Sequence, residues 1–154
     1  MRKAPDFTLL DQDGNSFTLS ENLGKKILLV FYPKDNSLVC TKQLCSYNEN
    51  FNLFLDKGIL VIGISTDSVE SHKEFHTKNN LKFTLLSDSE KKVSKAYNSV
   101  GIFGMSQRKL LLISETGEIL DENYSIPILY RNSDFLFSKL IKKFIDLTFI
   151  TIIG

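Results

Sequence analysis

Three short, nearly unbroken apolar runs constrain this chain most: Ile27-Leu28-Leu29-Val30-Phe31-Tyr32, Ile59-Leu60-Val61-Ile62-Gly63-Ile64 and Leu110-Leu111-Leu112-Ile113. Runs of this length without polar alternation fit strands covered on both faces. Such strands need helical layers above and below, and the intervening sequence supplies them. Across residues 40–55, Leu44, Tyr47, Phe51, Phe54 and Leu55 recur at helical spacing, and Lys57-Gly58 closes the segment. Asp67 or Ser68 caps a second predicted helix that reaches about residue 79. Shorter strands are predicted at 7–10, 16–19, 83–86 and 118–123, a short helix at 89–97, and turns at Asp13-Gly14 and Thr116-Gly117. A last helix is expected over 133–147, with Phe135, Leu136, Leu140, Ile141 and Phe144 along one face. Strands alternating with helices predict an α/β fold class, a mixed central sheet flanked by helices. Right-handed crossovers make the first strands parallel, and the late hairpin adds an antiparallel pair.

Composition narrows the function classes. At 154 residues the chain is expected to form one domain over 1–154, with 148–154 an apolar extension. A net charge of +1 gives no reason to expect nucleic acid or an anionic membrane as partner. Lys139, Lys142 and Lys143 read as the solvated side of the last helix. The first residues lack the apolar core of a secretory signal, and no run approaches the roughly 18 apolar residues of a membrane span. Two cysteines are too few for a secreted disulfide framework, so a reducing, cytoplasmic setting is expected.

Those cysteines, Cys40 and Cys45, follow the first apolar run and sit where strand gives way to helix. Free backbone N–H groups and the positive end of the helix macrodipole favour thiolate there. A second cysteine five residues on offers a disulfide partner, so thiol redox chemistry leads the functional readings. Plainer roles stand beside it. Cys40 and Cys45 could be small buried apolar residues, Ser37 a helix cap, Pro33 a strand terminator, Arg108 an exposed arginine opening a strand, and Gln43 an ordinary helix residue. His72 and His76 stand at i, i+4, which with the cysteines invites a zinc site, although helix-face histidines are more often solvated.

Pro33, Ser37 and Cys40 stand in the spacing Pro-x-x-x-Thr/Ser-x-x-Cys, and Cys45 completes Cys-x-x-x-x-Cys. This pattern resembles the active-site motif of peroxiredoxins, and in particular of the peroxiredoxin Q subfamily, also called bacterioferritin comigratory protein. Ala4-Pro5-Asp6-Phe7-Thr8-Leu9, Gly63-Ile64-Ser65-Thr66-Asp67 and Phe83-Thr84-Leu85-Leu86-Ser87-Asp88 are similar to the family's opening and middle. Leu38-Val39 stands where relatives usually have Pro-Gly.

The resemblance implies a thioredoxin-like fold and a thiol-specific peroxidase that acts on hydrogen peroxide and organic hydroperoxides. Cys40 is then the peroxidatic nucleophile and Cys45 the resolving cysteine. Arg108 steadies the thiolate and the peroxide, Ser37 hydrogen-bonds the peroxide, and Pro33 shapes the pocket. No cofactor is implied, the reductant is a thioredoxin-like dithiol, and a monomer is expected, a dimer through the apolar tail being the alternative. A dithiol-disulfide oxidoreductase is disfavoured, because the cysteines are not spaced Cys-x-x-Cys. A non-catalytic or zinc-stabilised binding domain on the same fold is the other reading.

Overall fold

The apolar runs form the middle of a seven-stranded mixed sheet in the computed structural model, which describes residues 2–125. In chain order the strands are β1 (Thr8–Asp11), β2 (Ser16–Thr18), β3 (Lys26–Phe31), β4 (Ile59–Ser65), β5 (Thr84–Ser87), β6 (Arg108–Ile113) and β7 (Ile119–Ser125). Their order across the sheet is β2-β1-β5-β4-β3-β6-β7. β3, β4 and β5 are parallel neighbours, whereas β6 pairs antiparallel with β3 and β7 antiparallel with β6. The helices are α1 (Leu38–Glu49), α2 (Phe51–Asp56), α3 (Val69–Lys78) and α4 (Lys92–Ala96). The helix predicted over 133–147, its basic group and the apolar tail lie outside the described residues.

Successive side chains of β3 point to opposite faces, so its apolar run feeds two cores. Leu28, Val30 and Tyr32 join Cys40, Leu44, Tyr47, Phe54 and Phe75 on one side. Ile27, Leu29 and Phe31 join Phe7, Leu111, Ile113 and Tyr97 on the other. Gly63 on β4 allows close packing across the sheet. A Cβ there would fall 2.7 Å from a Leu85 methyl and 3.3 Å from the Tyr32 ring.

Two helices differ from expectation. The segment predicted as one helix from residue 40 starts two residues earlier and divides at Asn50, whose φ of −102° and ψ of 17° interrupt it. The helix predicted over 89–97 contracts to Lys92–Ala96. The Asp88 carboxylate accepts the N–H groups of Val93 and Ser94, so the chain before them is used as a cap.

Candidate active site

Ser37 decides where α1 begins. Its backbone is extended (φ −70°, ψ 143°), and its Oγ accepts the Cys40 N–H at 3.2 Å. The first intrahelical bond runs from the Thr41 N–H to the Ser37 carbonyl. Cys40 is therefore the third residue of the helix, within the turn whose N–H groups precede regular pairing. The plain cap reading of Ser37 is thus a structural fact, and it positions Cys40.

Arg108 reaches the sulfur from 68 residues away. The cause is sheet register. β6 runs antiparallel to β3 with Lys109 opposite Phe31, so Arg108 stands at the end of β3 where the chain turns toward α1. One guanidinium nitrogen donates to Cys40 Sγ at 3.0 Å, and the other terminal nitrogen donates to Gln43 Oε1 at 2.7 Å. Gln43 Nε2 in turn donates to Tyr47 Oη at 3.0 Å. Cys40, Gln43, Leu44 and Tyr47 form the buried face of α1, at spacings of three, four and seven residues. Gln43, read in the sequence as a helix residue that could equally be exposed, is 1% exposed and orients the arginine. The sulfur is an acceptor here, the role a thiolate fills better than a thiol.

Cys40 is 0% exposed, so the sulfur is sealed in this state. Two surface hollows, of about 670 and 810 Å³, are lined by other residues.

Cys45 lies in the same helix and is half-buried, its thiol donating to Asn79 Oδ1 at 3.8 Å. Burial, and after it the Glu49 carboxylate, push the Cys45 thiol up from its ordinary range. Both cysteines are free. Five residues of helix separate them by about 7.5 Å along the axis and about 140° around it, so a bond between them requires α1 to unwind. Pro33 is partly buried in the loop that leaves β3.

The histidines are not the solvated pair expected from the sequence. His72 is wholly buried, with Nδ1 at 2.7 Å from Asp35 Oδ2 and Nε2 at 3.0 Å from the Leu86 carbonyl. His76 Nε2 meets the Phe83 carbonyl at 3.1 Å. The two imidazoles therefore bind different backbone carbonyls and do not converge on the cysteines. Asp35, Asp67 and His72 do bring their ligand-capable atoms within 4.8 Å of one another. Hydrogen bonds already join them there, including one from the Asp35 N–H to Asp67 Oδ2 at 2.7 Å.

The AhpC/TSA family profile matches residues 1–121. The chain belongs to the AhpC/TSA family. Its relatives within that family include peroxiredoxins of the Q type. The chain is 41% identical over 130 residues to peroxiredoxin Q, chloroplastic, of Oryza sativa subsp. japonica, covering 84% of this chain and 57% of the rice protein. It is 39% identical over 121 residues to a Coxiella burnetii protein provisionally named peroxiredoxin bcp, covering 79% of this chain and 80% of the relative. The chain thus spans little more than half the length of its rice relative and most of its bacterial one.

Solved structures agree with the family's fold, which is thioredoxin-like. A Xanthomonas campestris bacterioferritin comigratory protein, described for its alkyl peroxide reduction activity, superposes with a TM-score of 0.75 at 26% identity, over 78% of this chain and 81% of that one. Peroxidoxin BcpB of Mycobacterium tuberculosis superposes with a TM-score of 0.76 at 29% identity, over 80% and 84%.

Proposed function

We propose that this chain is a thiol peroxidase that reduces hydrogen peroxide and organic hydroperoxides through Cys40. The observation that carries the reading is the Arg108 guanidinium at 3.0 Å from the Cys40 sulfur. An inert core thiol gives no reason to bring a cation into a dry interior, where an ion without a strong partner is costly. Likeness to the peroxiredoxin Q relatives supports the same conclusion.

In this reading a small outward movement of the loop and first turn admits the peroxide. The Cys40 thiolate attacks one peroxide oxygen and the O–O bond breaks. The second oxygen leaves with a proton as water or alcohol, and the sulfur is oxidised to sulfenic acid. Arg108 holds the thiolate and the peroxide oxygens. The Ser37 hydroxyl and the N–H groups of the first turn stabilise the charge that develops on oxygen. Pro33, with fixed φ and no N–H, shapes the wall of the site.

The Cys45 thiol then condenses with the sulfenic acid, releasing water and forming the Cys40–Cys45 disulfide. α1 unwinds for that step, and the unwound segment presents the bond to a thioredoxin-like dithiol, whose thiolate exchanges with it. Burial, and after it the Glu49 carboxylate, disfavour the Cys45 thiolate, which suits a thiol that acts second in the cycle. A resolving cysteine in the same chain lets a monomer complete the cycle. The cytoplasm is the proposed compartment, because the cycle needs a dithiol pool. Among the described residues no helix is long and apolar enough to cross a membrane.

The test is consumption of hydrogen peroxide by the reduced protein with a thioredoxin system. Cys40→Ser is expected to abolish it. Turnover retained in that variant would refute the assignment.

A further inference from the structure

A second buried polar cluster lies at the root of the loop that carries Ser37. The Asp35 carboxylate accepts from Tyr32 Oη at 2.7 Å and Ser71 Oγ at 2.9 Å, and its Oδ2 is hydrogen-bonded to His72 Nδ1 at 2.7 Å. Its backbone N–H donates to Asp67 Oδ2 at 2.7 Å. Asp35 and His72 are 3% and 0% exposed. Burial, and after it the Asp35 carboxylate, push the Tyr32 hydroxyl well above its ordinary range, so Tyr32 stays a donor. His72 Nε2 faces a carbonyl, which only accepts, so that nitrogen carries hydrogen. The other ring nitrogen, Nδ1, makes the hydrogen bond to Asp35.

The chain between Tyr32 and Ser37 has its polar anchors at Asp35. Asn36, the next residue, takes a left-handed φ of 58°, and Ser37 is extended. A residue held on all sides, followed by a sharp backbone reversal, sets the direction in which the cap and the first turn of α1 leave the sheet. We propose that His72 is a positioning residue for Cys40, acting through Asp35 to place Ser37 and the first turn against Arg108. The inference rests on the thiol peroxidase reading. It gives His72 a role in reactivity rather than in packing alone, although its imidazole touches neither the sulfur nor Arg108.

Two amide variants separate the imidazole's nitrogens. His72→Asn places an N–H donor near the Nδ1 position and keeps the bond to Asp35. His72→Gln places it near Nε2 and keeps only the bond to Leu86. The rate of the reduced protein with limiting hydrogen peroxide is measured beside alkylation by iodoacetamide. His72→Gln is expected to lower the peroxide rate by about tenfold or more, since an ångström-scale misplacement of a reacting group costs up to about a hundredfold. His72→Asn is expected to stay within about threefold of the parent, the scale of one weakened neutral hydrogen bond. Alkylation should not fall with the peroxide rate, because a loosened loop exposes the sealed sulfur.

Ser71→Ala, on a partly exposed residue that threatens folding least, removes one donor to Asp35. It should cost about two- to fivefold, consistent with a single hydrogen bond. Equal losses in the Asn and Gln variants, or a parental rate in His72→Gln, would overturn the proposal. A parental protein no faster with peroxide than a free thiol would sink the peroxidase reading and this inference together. A fast parent with an equally fast His72→Gln variant sinks this inference alone.

Discussion

Replacing Arg108 with methionine keeps an unbranched side chain of comparable reach in the same buried position and removes the guanidinium. With it go the 3.0 Å donation to Cys40 Sγ and the 2.7 Å donation to Gln43 Oε1. A hydrogen bond to a charged group contributes about 1.5–3 kcal/mol. At about 1.4 kcal/mol per factor of ten, loss of the sulfur contact in the transition state slows peroxide reduction by about 10- to 150-fold. Arg108→Lys retains charge but not the fork that spans the sulfur and Gln43, so it should fall between the parent and the methionine variant. The chain has no tryptophan to report the reaction by fluorescence. The assay is therefore competition between the reduced protein and a haem peroxidase for limiting hydrogen peroxide. Urea unfolding of the same samples guards against misfolding. A folded Arg108→Met variant that reacts within about threefold of the parent would refute the reasoning, since that ratio leaves less than about 0.7 kcal/mol for the contact.

Further outcomes follow from the same contacts. Cys45→Ser should permit one turnover and leave Cys40 as sulfenic acid, read by intact mass after trapping with dimedone; a second turnover with thioredoxin would remove Cys45 from the cycle. Gln43→Ala frees the Arg108 fork from its buried acceptor and should slow peroxide reduction by about three- to tenfold, a part of the worth of the charge-assisted bond that orients it. Gly63→Ala would set a methyl 2.7 Å from the buried Leu85 side chain, and the overpacking should lower stability by about 1–3 kcal/mol, seen as a shifted urea midpoint at constant slope. In a Cys40→Ser background, Glu49→Gln should move the pH midpoint of Cys45 alkylation downward. The Glu49 carboxylate disfavours the thiolate, so its neutralisation favours that form, and an upward or absent shift would contradict the geometry.

Most of the fold was legible because its signals are local. The run at 59–65 became β4 without change, and the cap at Ser68 and the end near Asn79 bound α3 as expected. Boundaries moved where a side chain from beyond the element satisfied its free N–H groups, as Asp88 does for α4. The break at Asn50 left no glycine or proline to mark it. The solvated role expected of His72 fails because, beside its i, i+4 relation to His76, it stands i, i+3 to Phe75. The latter places both residues on the buried face of α3. Gln43 carried a comparable signal, being three residues from Cys40 on the face that Leu44 and Tyr47 define.

By itself the sequence determined the candidate nucleophile, its place at a strand-to-helix junction and the apolar layers on either side of the sheet. Those properties depend on residues within a few turns of one another. The sequence could name Arg108 only by family likeness. Its approach to Cys40 is set by the antiparallel register of β6 on β3, a relation between segments far apart in the chain. The sealing of the sulfur and the meeting of Asp35 with His72 were likewise tertiary decisions. Each depends on which faces pack together once the sheet forms, and no local pattern encodes the distance between atoms brought together by that packing.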